Sequence, residues 1–123
     1  MQKPISITAI ASVSPLGHTK KEVLNAYLND SHRFSKFEDQ WVASLKTSTQ
    51  QDVALLKTES TKYKPLDSSV LYAILSARHA VKEANWQTNT SFGVNFGSSR
   101  GATTLFEHHF KQFLKHNKTQ TLA

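Results

Sequence analysis

The stretch of sequence that decides the fold is residues 67–86, DSSVLYAILSARHAVKEANW. Its apolar residues recur at steps of four and three, at Val70, Ile74, Ala77, Val81 and Ala84. This spacing places them on one face of an α-helix. Asp67 or Ser68 can cap the amino end by accepting a backbone N–H bond. The pattern therefore predicts a long amphipathic helix that ends at about Asn85 or Trp86.

Two short stretches with the composition of strands lie on either side of this helix in the sequence. Residues 5–13, ISITAIASV, and residues 92–97, FGVNFG, are rich in β-branched, aromatic and small residues. Runs of this kind are typical of strands buried on both faces. The proline and glycine of Ser14-Pro15-Leu16-Gly17 predict a turn directly after the first strand.

Two further helices are predicted at either end of the chain. Thr19-Lys20-Lys21-Glu22 fits a capping box, in which the Thr19 hydroxyl accepts from the Glu22 amide and the Glu22 carboxylate reaches back. The helix behind it is expected to end at Asn29-Asp30-Ser31. A second capping-box pattern, Thr104 to Glu107, precedes an apolar stripe formed by Leu105, Phe106, Phe110, Phe113 and Leu114.

Residues 31–64 carry the weakest pattern. Their apolar anchors stand apart in a polar stretch, at Phe34, Phe37, Trp41, Val42 and Leu45. A short strand is expected at 41–46, and one or two helical turns at 53–56. Residues 46–51 are rich in Thr, Ser and Gln, which predicts a surface loop. We therefore expect residues 46–64 to form a mobile loop region.

The order of these elements is strand, helix, irregular region, helix, strand, helix, which is typical of an α/β fold. The 123 residues are enough for one hydrophobic core. Two or three strands are few for a sheet that is buried on both faces. We therefore expect residues 1–123 to be a single truncated α/β domain, part of a larger sheet, whose uncovered edges and apolar faces promote self-association.

Composition restricts the chemistry. The chain has 15 Lys and Arg against 9 Asp and Glu, a net charge of +6, and no cysteine. Disulfides, zinc–thiolate sites and a cysteine nucleophile carried by this chain are therefore excluded. No apolar run approaches the roughly 20 residues of a membrane span, and the first residues do not resemble a signal peptide. These features predict a cytoplasmic protein with no membrane partner.

Four local patterns admit a functional and a structural interpretation. The turn Gly97 to Gly101 lies between a strand and a helix, where backbone amides can bind an anion, but it lacks P-loop or dinucleotide spacing, so a structural turn is favoured. His109 and His116 share a helical face without a third ligand, which favours surface histidines over a metal site. A Ser-His-Asp triad is compatible with the composition, yet no Gly-x-Ser-x-Gly sequence favours it. The basic residues are dispersed, which disfavours nucleic-acid binding and favours attraction of an acidic partner.

Taken together, the elements resemble those of β-ketoacyl synthases. Residues 5–17 resemble the opening strand and turn of that family: Ser14-Pro15-Leu16-Gly17 is retained, and Ala9 and Ala11 replace two usual glycines. Similar segments follow in family order at residues 20–30, 42–45, 67–86 and 93–101. The resemblance covers the whole chain collinearly.

The resemblance implies a thiolase-like fold, with two similar α/β halves stacked in five layers, αβαβα. The family is usually dimeric and condenses an acyl group with a malonyl unit on acyl carrier protein, in fatty acid or polyketide synthesis. Its cysteine nucleophile and two histidines lie beyond the position that matches Ala123. The resemblance therefore implies an amino-terminal portion of such an enzyme, with no catalytic residue, no cofactor and no metal of its own. Because the condensation requires a thiolate, the isolated chain is expected to be inactive.

One position can be carried over from the family, Arg100, next to Gly101. The resemblance implies that it approaches the acyl pocket near the dimer interface, where the family usually has an apolar residue. Burying an unpaired guanidinium is strongly unfavourable. Arg100 is therefore expected to accompany a polar or short acyl group, to point outward, or to bind a carboxylate, and a salt-bridged structural arginine is the favoured alternative.

Three hypotheses of function remain at this point. The chain is part of a β-ketoacyl synthase with acyl carrier protein and a second copy as partners, or part of a non-catalytic partner subunit of the chain-length-factor type, or a basic α/β module that binds nucleic acid. A cysteine encoded downstream of Ala123 would favour the first over the second. Salt-dependent binding of duplex DNA would favour the third.

Overall fold

The computed structural model describes residues 4–29, 32–87, 89 and 91–115. Within them the chain forms four α-helices, one β-hairpin and a short 3-10 turn, a mixed α/β composition. The bounds are α1 Lys20–Leu28, β1 Ser35–Phe37, β2 Gln40–Val42, α2 Thr47–Glu59, the 3-10 turn Thr61–Tyr63, α3 Ser68–Glu83 and α4 Thr103–Lys115. Asp30 and Ser31, expected to end the first helix, lie outside the described residues, as does His116.

The hydrophobic core lies between α2 and α3. Its buried residues are Leu56 from α2 and Leu71 and Leu75 from α3. Partly buried apolar residues pack around them, namely Val13, Val53, Tyr63, Leu66 and Ile74. The long helix predicted from residues 67–86 is confirmed as α3, which ends at Glu83.

The carboxyl end of α3 is closed by a Schellman motif. The Trp86 amide donates to the Val81 carbonyl at 3.3 Å, and the Asn85 amide donates to the Lys82 carbonyl at 3.2 Å. Asn85 has a positive φ of 53°, the left-handed conformation that this motif requires. Asparagine adopts it more readily than most residues, so the sequence ends the helix here without a glycine.

The turn before α1 and the capping box both form as predicted. The Gly17 amide donates to the Ser14 carbonyl at 3.0 Å, and the Ser14 amide donates back to the Gly17 carbonyl at 3.2 Å. The Glu22 amide donates to Thr19 Oγ1 at 3.2 Å, and the Thr19 amide donates to Glu22 Oε2 at 3.2 Å. Gly17 has a φ of 137°, and a Cβ placed on it would lie 2.6 Å from the Glu22 Cβ. This turn therefore requires glycine.

The prediction of a loop over residues 46–51 is wrong, because α2 begins at Thr47 and continues to Glu59. The polar composition of its first turns concealed the helix. Thr49 is fully buried and Leu56 belongs to the core, so tertiary contacts hold both ends of α2. The mobility expected for residues 46–64 stays a prediction.

A hairpin replaces the strand expected at 41–46. β1 and β2 pair in antiparallel register, with Ser35 opposite Val42, Lys36 opposite Trp41 and Phe37 opposite Gln40. The two-residue turn between them begins at Glu38, which has a positive φ of 52°. Two-residue hairpin turns demand such a conformation.

The two strands predicted at residues 5–13 and 92–97 are not formed as strands. Ile5 is 99% exposed and Ile7 80%, while Val94 is 65% exposed and Phe96 70%. A strand needs the N–H and C=O groups of a neighbouring strand. Among the described residues the only ladder partners are those of the hairpin and a single bridge between Ser14 and Gly17. Both segments, called the two extended segments below, line clefts on α3.

Candidate functional site

The glycine-rich turn that the sequence singled out lies between the second extended segment and α4. The Gly101 amide donates to Ser98 Oγ at 2.8 Å, which closes the turn. Gly101 has a φ of 66°, a conformation that glycine adopts without strain. Two residues later α4 begins at Thr103.

The amino end of α4 is capped by a residue from another element. The Thr104 amide donates to Asp67 Oδ2 at 2.9 Å, and the Leu105 amide donates to Asp67 Oδ1 at 3.2 Å. The capping box expected from Thr104 to Glu107 is therefore replaced by this contact, and the Asp67 side chain makes no cap bond to α3, its own helix. A carboxylate of the chain thus already occupies the position where an external anion would bind.

A cavity of about 410 Å³ lies between this turn and the first half of α3. Its walls are largely apolar, formed by Val70, Ala73, Ile74 and Phe96, with Gly97, Ser98 and Gly101 along the turn and Ser69 and Ala102 completing it. The candidates for a substrate pocket or an interface were Arg100 and its neighbour Gly101, and of these Gly101 lines the cavity. Arg100 is exposed and is not part of the lining.

In the part of the chain that the structure describes, Arg100 forms no salt bridge, the alternative that the sequence favoured. The ion pairs found within the described parts of the chain involve other residues. The exposed position corresponds to the outward orientation that was considered at the sequence level. A contribution of Arg100 to an acyl pocket stays a prediction.

A second cavity, of about 550 Å³, opens between residues 10–12, α1 and α3. Ile10, Val23, Leu24 and Tyr27 make one side of it apolar, while His18 and His79 line the other. Lys20 and Glu83 form an ion pair across its rim, which joins α1 to α3. The volume is in the range of small-molecule sites.

His18 links α1 to α2 beside this cavity, and sequence reasoning missed it. Its Nδ1 lies 2.9 Å from Thr49 Oγ1, its Nε2 lies 3.3 Å from Asp52 Oδ2, and its ring centroid is 5.3 Å from that of His79. The His18 side chain is only 14% exposed, so it is not a solvated surface histidine. No local pattern could have revealed this, since Thr49 lies 31 positions away.

Among the acidic residues that the structure describes, Glu22 has the pKa that is shifted most from its usual value. Its Oε2 accepts the His18 and Thr19 amides, each at 3.2 Å, and Lys46 Nζ donates to Oε1 at 3.3 Å. These hydrogen bonds favour the charged form, that of the His18 amide most strongly, and they lower the pKa of Glu22 to about 2. Glu22 is therefore ionised at neutral pH and serves structure, not acid–base chemistry.

Several basic residues are likewise held by carboxylates. Arg78 Nη1 lies 2.6 Å from Glu59 Oε2, and this hydrogen bond raises the pKa of Arg78 above its usual value. Its guanidinium also lies over the Tyr63 ring, 5.8 Å from the centroid. Among the described residues, no three His, Asp or Glu side chains are close enough to hold a metal ion.

None of the helices in the described ranges is long and apolar enough to cross a membrane. No family model matches the chain, and no solved structure matches it either. A relative found among curated proteins is the 3-oxoacyl-[acyl-carrier-protein] synthase 1 of Buchnera aphidicola subsp. Schizaphis graminum, strain Sg, which is 28% identical over 108 residues. The match covers 80% of this chain and 26% of the relative, so the chain spans about a quarter of that protein's length. The chain is thus distantly and partially related to a 3-oxoacyl-[acyl-carrier-protein] synthase.

Proposed function

We propose that this chain forms the amino-terminal part of the framework of a β-ketoacyl synthase, which condenses acyl and malonyl units carried on acyl carrier protein. The observation that carries the proposal is the 28% identity to a 3-oxoacyl-[acyl-carrier-protein] synthase over 80% of the chain. The order of segments along the chain also supports the proposal, because the segments that resemble the family occur in the same order as in the family. The thiolase-like architecture is part of this proposal.

The path of the chain around α3 is in keeping with such a framework. Residues 6–9 border one cleft on α3, together with Ala80 and Val81. Phe92, Val94 and Phe96 border another, together with Ile74 and Val81. Parallel sheets are built from strands that pack against the helices connecting them, and both of these segments lie against α3. In the proposed framework both extended segments become strands once neighbouring strands pair with them.

The chemistry must then come from polypeptide outside these 123 residues. The chain contains no cysteine, so it has no thiolate that could hold an acyl group as a thioester. The structure brings the His18 imidazole and the Thr49 hydroxyl together at 2.9 Å, but Thr49 is fully buried, so its hydroxyl is not placed to attack a substrate. The chain alone is therefore expected to be inactive in condensation.

The first part of the test is chemical. The purified chain is incubated with acyl carrier protein that bears an acyl group and with malonyl-acyl carrier protein, and both the chain and the products are analysed by mass spectrometry. The expected result is an unchanged chain mass and no condensed product. A 3-oxoacyl product, or an acyl adduct on the chain, would contradict the proposal that these 123 residues carry none of the condensation chemistry.

The second part of the test is binding. The net charge of +6 predicts attraction of an acidic carrier protein, with an affinity that falls as salt is added. Arg100→Glu is compared with Lys62→Glu, an exposed residue of the 3-10 turn, because both variants change the net charge equally. If Arg100 lies beside the acyl pocket, its variant weakens binding by about threefold more than the control does.

Two outcomes would redirect the proposal. Tighter binding to a short DNA duplex than to acyl carrier protein at the same salt concentration would favour a nucleic-acid-binding module. A longer reading frame in which the nucleophile position holds another residue would favour a non-catalytic partner subunit. Absence of any binding to acyl carrier protein at low salt would overturn the partner assignment.

A further inference from the structure

We draw no further inference here: the strongest candidate, the cavity of about 550 Å³ that His18 and His79 line between residues 10–12, α1 and α3, has exposed apolar walls at Ile10 and Tyr27, and nothing in the structure shows whether a small molecule or polypeptide outside these residues covers them.

Discussion

The helical part of this chain and its two extended segments differ in where their backbone hydrogen bonds and their apolar contacts come from. In α1, α2 and α3 the backbone bonds are made within each helix, and Leu56, Leu71 and Leu75 bury their side chains against one another. Residues 5–13 and 92–97 are as apolar as the helices, yet they remain largely exposed. A helix satisfies its own backbone, whereas a strand depends on another strand. The same hydrophobic content therefore produces a core in one region and an uncovered surface in the other.

The largest expected contrast is between apolar truncations in the two regions. Leu71→Ala removes a side chain that is 2% exposed and should lower the free energy of unfolding by about 3 kcal/mol. Ile7→Ala, in the first extended segment, should change it by less than about 0.5 kcal/mol. Urea denaturation of both variants provides the comparison. Equal losses would mean that Ile7 is packed into the core in solution.

A pair of glycine substitutions sharpens the contrast at the backbone level. Gly17→Ala adds a Cβ within 2.6 Å of the Glu22 Cβ at a positive φ, and it should destabilise the chain by about 2 kcal/mol. Gly97→Ala adds a Cβ that meets nothing within 4 Å. It should be neutral or stabilise slightly, because alanine restricts the unfolded chain. A loss at Gly97 as large as that at Gly17 would show that the second segment is tightly packed.

The α1 capping box should make the stability of the helical region dependent on pH. Glu22→Gln removes the charge that accepts the His18 and Thr19 amides, and at pH 7 it should lower the free energy of unfolding by about 1 kcal/mol. The pKa of Glu22 is depressed in the folded chain, from 4.5 to about 2. The unfolded chain therefore takes up this proton first as pH falls.

The sign of this dependence follows directly. The advantage of the native Glu22 is complete above about pH 4.5 and is lost as the pH falls toward about 2. Chemical denaturation of the native chain and the variant at several pH values measures the difference. A difference that stays constant down to pH 2, or grows as pH falls, would mean that the carboxylate is not held as the structure shows.

The smallest effect is expected where α3 ends and the chain leaves the helical region. Asn85→Gly should raise the free energy of unfolding by less than about 1 kcal/mol, because glycine adopts the positive φ of 53° without strain. Asn85→Ala should lower it by a similar amount. Thermal unfolding followed by circular dichroism can rank the three chains. A ranking with alanine above asparagine would contradict the Schellman motif at this site.

Sequence reasoning succeeded where the determining contacts are local. The Ser14–Gly17 turn, the Thr19–Glu22 capping box and α3 each depend on residues a few positions apart, and all three form. It failed where a distant partner decides. The polar start of α2 is held by burial of Thr49 against His18, and no pattern within residues 46–51 reports that contact.

The candidate site shows the same division. The turn at Gly97–Gly101 and the positive φ at Gly101 follow from the glycines themselves. The capping of α4 by Asp67 does not follow from local sequence. Asp67 lies 37 positions before Thr104, and its carboxylate caps α4 in place of its own helix α3. The local capping pattern that begins at Thr104 is not used. Periodicity alone did not reveal which side of α4 would face solvent, because its phenylalanines occur on both flanks.

Asp67 connects the starts of two helices, α3 and α4. Its carbonyl accepts the Val70 and Leu71 amides that begin α3, while its carboxylate holds the start of α4. Residues 92–97 lie in the connection between the end of α3 and the start of α4, and Asp67 fixes the start of both helices. A segment held at both ends loses less conformational entropy on binding than a free tail does. Pairing of a neighbouring strand with residues 92–97 would therefore cost less conformational entropy than pairing with a free tail.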